Sequence, residues 1–419
     1  MRWQRALVLL LLAVASPAAG QSMLELYGLG LWSPPNDVMG QGAGDIRSLP
    51  LGPGQVLATN VASWYALTST QLRATLGTRR TSSGDGQVRS RAGLQQVHFL
   101  AHLDNRTAVG VILRPLTRTQ MTLTDTTGYL RLAADTLRYT QTRRLEGGVS
   151  SLQLGLSRRL GGSTAIGLTL GIIFGAILET DTLAFTDHGE RIDVLSWARF
   201  TGPFLLAERS TSFLGRTVGF GFQTGAWPRS RSMLGLQIDW PLAVRAKVDT
   251  RYQPLPVYST VREQDLQLPS TISASYGLDL TSRQRLLAEW TVQQEDTTGN
   301  NRLIFGRQLE RISAAKFVWA LSPAGPTAPE PGRFAYRVGF IFRQYYLSDL
   351  KNEPLSEMGI TLGLGVRSLS FGYGLDLALQ IGQRDTGTLP GTKKETFFRF
   401  SIGARTGELW FARPKKNWQ

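Results

Sequence analysis

The apolar residues of this chain fall on every second position over a long series of segments. Residues 371–381 are the clearest example, with Phe, Tyr, Leu and Ile on one face and Gly, Asp, Ala and Gln on the other. This period of two is the pattern of a β-strand with one apolar and one polar face. Repeated along the chain, an apolar outer face and a small, polar inner face predict the wall of a transmembrane antiparallel β-barrel, an all-β fold.

The same alternation, punctuated by turn residues, predicts the individual wall strands. They cover 67–79, 91–103, 106–120, 145–158, 163–180, 232–247, 268–281, 284–294, 305–321, 333–347, 355–367, 370–383 and 394–406. The stretch 191–227 reads as one further strand or as two, and the polar stretch 122–143 is predicted to be a long loop. Single-chain bacterial barrels have even strand numbers, so one strand over 191–227, and about 14 strands in total, is preferred.

A soluble β-sandwich is the alternative to the barrel. It would have to bury the apolar outward faces in a second sheet, and it would not need glycine at so many inward positions. The tight connections at 104–105, 160–161, 229–230, 282–283 and 368–369 all fall on one side of a fourteen-stranded barrel, as periplasmic turns should. The Pro-rich link 323–331 is the one long connection predicted on that side. The barrel is therefore the preferred fold.

The first twenty residues have the organisation of a signal peptide. Arg2 and Arg5 precede the apolar run 6–14, and the small residues Ala18 and Gly20 stand before the predicted cleavage point. A transmembrane anchor is the alternative, but the run is about half of the ~20 residues that span a bilayer. The sequence therefore predicts export and residence in the bacterial outer membrane.

Composition narrows the function classes further. The chain has no cysteine, which excludes a disulfide-stapled fold and thiol catalysis. It carries a formal net charge of +15. In the cell envelope, this charge favours contact with anionic lipid head groups or an arginine-lined lumen, and no nucleic-acid partner is expected.

The sequence holds little catalytic or metal-binding chemistry. His98 and His102 lie four residues apart on one predicted strand, about 13 Å apart at ~3.3 Å per residue, which is too far to share a metal ion. His188 is alone in a polar loop. No base is placed beside a nucleophile. We therefore expect no enzyme activity, no metal site and no cofactor.

Several charged residues are predicted to point into the lumen, because their strand neighbours are apolar and face outward. They are Arg337, Arg343, Arg399, Glu289 and Asp376. Buried charges are costly unless they are paired or hydrated. They form either a salt-bridge network that fixes an internal segment to the wall, or a ligand-binding site in which an arginine holds the carboxylate of an amphipathic solute.

The segment before the first wall strand does not alternate. Residues 21–66 are rich in Gly and Pro, as at 39–44 and 51–54. No Gly-Lys-Ser/Thr follows these glycines, so a nucleotide loop is not indicated. Glycine permits a densely folded backbone, and the segment is predicted to be a plug, or hatch, inside the lumen.

The order of these features resembles a known superfamily. A Gly-rich hatch followed by an Asn-Pro-Ala element before the first strand is the layout of the FadL-type outer-membrane transporters of long-chain fatty acids and aromatic hydrocarbons. Here the hatch element is Asn60, Val61 and Ala62, with valine in place of proline. The Tyr-Gly-Leu-Gly of 27–30, the Met-Gly of 39–40 and the Trp-Phe and basic residues of 409–416 resemble a Bacteroidetes-like branch. The resemblance implies a plugged, fourteen-stranded barrel, and for this branch no established substrate.

The predicted organisation is a signal peptide at 1–20, a hatch at 21–66, a barrel at 67–411 and a basic periplasmic tail at 412–419. We expect passive uptake or transfer of a hydrophobic or amphipathic small molecule through a hatch site and a lateral exit. Proline cannot donate to a ladder, so Gly202-Pro203 or Arg114-Pro115 would make such an exit.

Two other functions remain open at this stage. One is a non-transporting barrel that acts as a scaffold or accessory in secretion or envelope assembly, and the other is a general diffusion porin. The expected partners are outer-membrane lipids, a hydrophobic small-molecule ligand and, during biogenesis, the barrel-assembly machinery.

Overall fold

A computed structural model describes residues 29–52, 55–83, 88–132, 135–187, 190–191, 205–225, 231–253, 260–294, 311–324, 333–348, 354–367, 374–385 and 394–408. The predicted signal peptide, His188, Pro203 and the tail 412–419 lie outside these ranges. Within them, no helix has the length and apolar character to cross a membrane.

Strands make up most of the described chain. They are β1 (Leu31–Trp32), β2 (Thr70–Ser83), β3 (Val88–Asp104), β4 (Thr107–Leu132), β5 (Asp135–Gly161), β6 (Thr164–Asp187), β7 (Glu190–Arg191), β8 (Leu205–Gly225), β9 (Ser232–Gln253), β10 (Thr260–Leu266), β11 (Thr271–Asp279), β12 (Gln284–Gln293), β13 (Ile312–Leu321), β14 (Phe334–Ser348), β15 (Pro354–Arg367), β16 (Gly374–Asp385) and β17 (Lys394–Glu408).

Fourteen of these strands form a closed antiparallel barrel. Each pairs with its neighbour along the chain, and β17 pairs with β2, with Glu408 opposite Thr70, to close the ring. Of the other three, β1 pairs with β4, β7 pairs antiparallel with the last two residues of β6, and β10 pairs with the second half of β9. The stretch 191–227, which could hold one strand or two, contributes a single wall strand, β8. The barrel therefore has fourteen strands, as predicted.

The predicted loop at 122–143 is wrong. β4 continues to Leu132 and β5 begins at Asp135, so that the two form a long hairpin. The apolar face is needed only where a strand crosses lipid. Beyond the bilayer both faces meet water, so a hydrogen-bonded strand can be polar on both sides. The polar strand β10 was missed for the same reason.

The outward face of the wall is apolar where it meets lipid. Trp290, Ala315, Phe342 and Met358 lie on one rung across β12 to β15. The Trp290 and Phe342 side chains are 55% and 53% exposed, as expected for an aromatic girdle at the interface.

The N-terminal segment, residues 29–52 and 55–67, packs against inward-facing residues around the barrel. It contains a short helix, Val38–Gln41, in which the backbone N–H of Gly40 donates to the Asp37 carboxylate at 3.1 Å. A 3₁₀ helix, Val61–Ala66, follows just before β2. The segment contributes much of the buried core, including Ile46, Leu49, Leu51 and Leu57.

Inward glycines let the wall approach this segment closely. A Cβ atom on Gly363 of β15 would lie 3.0 Å from the Cα atom of Gly42. One on Gly167 of β6 would lie 2.6 Å from the backbone nitrogen of Ala62. Any side chain at these positions would push the segment and the wall apart, so glycine is needed for this packing.

Trp64 anchors the end of the segment. Its side chain is fully buried and packs with Leu100, Ala108 and Ile112 of β3 and β4. The indole Nε1 donates to the carbonyl oxygen of Leu57 at 3.2 Å, so its polar atom is satisfied. The indole therefore links the N-terminal segment to the wall directly before the first wall strand.

Candidate ligand-binding cavity

A cavity of about 150 Å³ lies between the N-terminal segment and the wall. Its apolar surface is formed by Trp32, Pro35, Pro115, Leu116, Ile173, Pro241, Leu268, Pro269, Ile312, Ala314 and Ile341. On one side it adjoins an apolar cluster that includes Leu29, Val149 and Phe213, with Trp32 and Leu116 packed against it. The cavity is therefore bounded by hydrocarbon over much of its surface.

Four cations line the same cavity: Arg47, Arg114, Lys316 and Arg343. Asp45 and Asp239 are the only carboxylates among its lining residues. Arg47 forms an ion pair with Asp239, and Arg343 forms one with Glu357 at 2.6 Å. Counting the lining residues alone, positive charge exceeds negative charge.

Three of these cations have N–H donors that form no hydrogen bond to the described residues. The Nε atoms of Arg47, Arg114 and Arg343 are buried and have no hydrogen-bond partner there. Arg114 is 6% exposed and donates to the carbonyl oxygen of Pro35 at 3.1 Å. Buried guanidinium groups with unused donors beside an apolar surface can receive the anionic head of an amphipathic molecule.

Strands β3 and β4 of the wall separate beside the cavity. Pairing between β3 and β4 stops at Val97 opposite Leu113, although both strands continue. Directly beyond this point, β4 shifts register between Pro115 and Thr117, and its edge pairs with β1 instead. This is one of the two places at which an interruption was predicted from proline.

A second interruption was not predicted. β9 pairs with β10 as far as Val244 and with β11 only from Asp239, leaving 240–243 opposite 267–270 outside the ladder. Pro241 and Pro269 stand on the two sides of this gap, and both line the cavity. Proline lacks the N–H group that a ladder needs, which accounts for the gap.

Glu289 points inward, as its alternation with Trp290 implies, and is tied to the N-terminal segment. Its Oε2 accepts hydrogen bonds from the backbone nitrogens of Arg47 and Ser48 at 2.8 and 3.0 Å. Its Oε1 accepts from Lys316 Nζ at 2.9 Å. Lys316 also donates to the carbonyl oxygen of Asp45 at 2.7 Å. In this structure the carboxylate joins the segment to the wall.

Arg337 and Asp376 are brought together. Arg337 Nη1 donates to Asp376 at 3.1 Å, and its Nη2 donates to Gln55 Oε1 of the N-terminal segment at 3.2 Å. Both side chains are buried. This pair is another tie between wall and segment and does not line the main cavity.

Arg343 and Arg399 lie apart from each other. Arg343 lines the main cavity, whereas Arg399 donates to Gln380 at 2.8 Å and lines a smaller cavity. The structure thus places one of the five predicted residues at the main cavity.

The hatch-element residues Asn60, Val61 and Ala62 are buried at the start of the 3₁₀ helix. Asn60 Nδ2 donates to Gln223 Oε1 at 3.4 Å, and the carbonyl oxygen of Ala62 accepts from Ser157 Oγ at 3.2 Å. Val61 also lines a small cavity together with Arg114 and Asp239, so the element lies next to two residues of the main cavity.

Five charged residues that line the cavity were not predicted from the sequence as ligand-binding residues: Asp45, Arg47, Arg114, Asp239 and Lys316. Lys316 was detectable, because it alternates with the apolar residue Phe317 in the predicted strand 305–321. Arg47 was not, since it belongs to a segment without periodicity. In the part of the chain that the structure describes, no cluster of His, Asp or Glu has the geometry to hold a metal ion.

The described fold and part of the sequence have known counterparts. A family model described as BamG matches residues 243–417. No curated protein matches the chain. The fold is similar to a FadL homologue of Pseudomonas aeruginosa, with 12% identity, a TM-score of 0.59, and 92% of this chain and 100% of that chain covered.

Two further solved structures show the same similarity. The CymD monoaromatic hydrocarbon channel has 11% identity and a TM-score of 0.55, with 92% and 100% of the two chains covered. The toluene transporter TbuX of Ralstonia pickettii has 11% identity and a TM-score of 0.53, with 90% and 98% covered. The chain therefore has the FadL-type barrel fold, a fold of outer-membrane proteins. Membership of a Bacteroidetes-like branch stays a prediction.

Proposed function

We propose that the protein passively transfers a hydrophobic or amphipathic small molecule across the outer membrane. The observation that carries this proposal is the amphipathic cavity between the N-terminal segment and the wall, placed beside an interruption of the barrel ladder. Two solved structures of similar fold are named as a monoaromatic hydrocarbon channel and a toluene transporter, which supports the same class of solute.

The cavity favours a solute with an apolar body and an anionic head. The body would lie against Ile173, Leu268 and Ile341, and the head against Arg114 and Arg343. Glu289, Arg337 and Asp376 would act indirectly, by holding the N-terminal segment in place. In this proposal that segment is the hatch, and it closes the lumen to ions.

Filling the cavity is expected to remove the bound solute. Ala314 is buried and lines the cavity, so Ala314→Trp places an indole in the space that the solute would occupy. We expect organic extracts of the purified, folded wild-type barrel to contain an enriched apolar or amphipathic compound. Extracts of the variant should contain at least tenfold less, as measured by mass spectrometry.

The matched control is Ala315→Trp, which puts the same indole on the lipid-facing side of the same strand. It should retain the compound at the wild-type level. Identical extracts from all three proteins, with bulk phospholipid only, would contradict the transfer function.

The parting of β3 and β4 is proposed as the lateral exit. Leu116 lies on the cavity surface at the register shift of β4, so Leu116→Trp narrows the path from cavity to lipid. We expect transfer of the extracted compound from the loaded protein into vesicles to slow at least tenfold. Leu113→Trp, on the outward face of the same strand, is the control. Equal transfer rates for both variants and the wild type would exclude this exit.

A second candidate is a non-transporting accessory of barrel assembly. It is favoured by the BamG family-model match over 243–417, since the name points to the barrel-assembly machinery. The rim of tight turns, with exposed Arg106, Arg158, Arg159 and Arg231, offers a basic surface for a periplasmic partner. In this case, deleting the gene in its native host would lower the amounts of many unrelated outer-membrane barrels, measured by quantitative proteomics. Unchanged barrel amounts would reject this candidate.

A further inference from the structure

Three arginines stand side by side on one rung of the barrel. Arg399 of β17 lies directly opposite Arg79 of β2, and Arg79 lies directly opposite Arg91 of β3. Like charges placed directly opposite each other in a sheet destabilise it. Because the neighbouring residues Phe398 and Arg80 are exposed on the outer surface, Arg399 and Arg79 point toward the inside of the barrel.

A fourth arginine joins them where β3 and β4 part. Arg118 of β4 reaches across this gap and donates to the carbonyl oxygen of Leu94 of β3. All four arginines line one small cavity, together with Trp32, Ser33, Pro34, Gly77, Thr81, Ala92, Gly93 and Gln95. This set of lining residues contains no carboxylate.

Two guanidinium groups at this cavity have unused, buried donors. Arg399 is 6% exposed; its Nη1 donates to Gln380 at 2.8 Å, and its Nη2 is buried without a hydrogen-bond partner among the described residues. The Nε of Arg79 is also buried and has no hydrogen-bond partner among the described residues. Leaving a buried charged donor unsatisfied costs free energy, and an anion in the cavity would supply the acceptor.

The cavity has the size of one compact anion. Its volume is about 70 Å³. This space exceeds what a single water needs, roughly 10–15 Å³, and leaves room for a compact anion such as a phosphate group. Arginine forks match phosphate oxygens, and several forks can bind one phosphate at once.

We propose that Arg79, Arg91, Arg118 and Arg399 form a binding site for a phosphate group, separate from the main cavity. The site opens at the parting of β3 and β4, which gives two sources of the same chemistry: the phosphate of a lipid at the barrel wall, or a soluble phosphate in the lumen. The anion offsets the repulsion between the arginines. This inference stands on the arginine rung and does not depend on the proposed transfer function.

The test is a titration of the full-length, detergent-purified barrel with inorganic phosphate at constant ionic strength, followed by calorimetry and by thermal unfolding. We expect binding of one phosphate per barrel, and an affinity at least tenfold lower in Arg79→Gln and in Arg399→Gln. The matched control, Arg80→Gln, changes the next residue on the outer surface and should bind within twofold of wild type.

Thermal unfolding separates binding from a purely structural role. Without phosphate, Arg79→Gln should unfold at a higher temperature than wild type, because it removes a like-charge contact. Phosphate should raise the unfolding temperature of wild type and of Arg80→Gln, and leave that of Arg79→Gln unchanged. An unfolding temperature lowered by Arg79→Gln, or no phosphate binding to wild type, would overturn the proposal.

A short-chain phosphatidic acid and the matching diacylglycerol distinguish the two sources. Phosphatidic acid that binds at least tenfold more tightly than inorganic phosphate, and loses this affinity in Arg79→Gln, assigns the site to a lipid phosphate. Equal affinities of phosphatidic acid and phosphate assign it to a soluble phosphate. Diacylglycerol that binds as tightly as phosphatidic acid would overturn the proposal, since the phosphate would then contribute nothing.

Discussion

Glu289→Ala is expected to lower the free energy of unfolding by about 3–5 kcal/mol, the cost of breaking a buried ion pair by removing one partner. The Glu289 side chain is fully buried, and that of Lys316 is 7% exposed. Without the carboxylate, the Lys316 ammonium stays in the interior, where the carbonyl oxygen of Asp45 is its remaining acceptor among the described residues. A buried charge in that position destabilises the folded barrel.

The substitution also releases the N-terminal segment. The backbone N–H groups of Arg47 and Ser48, and the Ser48 hydroxyl, all donate to Glu289 Oε2 within 3.0 Å. Removing their acceptor leaves the two backbone donors unsatisfied next to the main cavity, whereas the Ser48 hydroxyl keeps Ser275 Oγ as a partner. We therefore expect protease to cut the segment in the folded variant under conditions in which the wild-type segment is resistant.

Urea unfolding in vesicles, followed by tryptophan fluorescence, measures the change in stability. Glu146→Ala is the matched control, because Glu146 pairs with Arg144 at a partly exposed site, where an ion pair contributes about 1 kcal/mol or less. Glu289→Gln should fall between the two, since an amide oxygen still accepts hydrogen bonds. A Glu289→Ala barrel as stable as Glu146→Ala would show that the pair does not hold the segment.

The wall was predictable because lipid imposes a period of two wherever a strand crosses it. The inward direction of Glu289, Arg337 and Asp376 followed from the same rule, since each alternates with outward apolar residues. The rule has no force beyond the bilayer, which is why the 122–143 hairpin was read as a loop. The rule also does not apply to residues 29–67, which do not cross lipid and whose structure depends on close packing with glycine.

The arginine rung could not be derived from alternation. Arg399 meets Arg79 only because the last strand closes on the first, in one register out of several that preserve the inward and outward faces. Shifting this register by two residues would keep every side chain on its own face and would separate the charges. Candidate sites that depend on such pairings therefore need the structure.

Gly339→Val is expected to drive part of the N-terminal segment off the wall and to open the lumen to ions. A Cβ atom on Gly339 would lie 2.5 Å from the backbone nitrogen of Gly44, which donates to Thr361 Oγ1 at 2.8 Å and cannot yield without losing that bond. Gly44 itself has φ +67°, a conformation that favours glycine. Overpacking of this kind costs about 1–3 kcal/mol, and we expect the N-terminal segment, which lies outside the closed sheet, to absorb the strain.

Ion conductance in planar bilayers measures the opening. If the segment is a hatch, wild-type barrels conduct little, and Gly339→Val should conduct at least tenfold more. The matched control is Gly161→Val at the end of β5, where an added Cβ meets nothing within 4 Å. Gly339→Ala should give a smaller increase than valine, because its Cβ meets the same backbone without the two methyl groups. Equal, low conductance in all these variants would mean that residues 29–67 do not control access to the lumen.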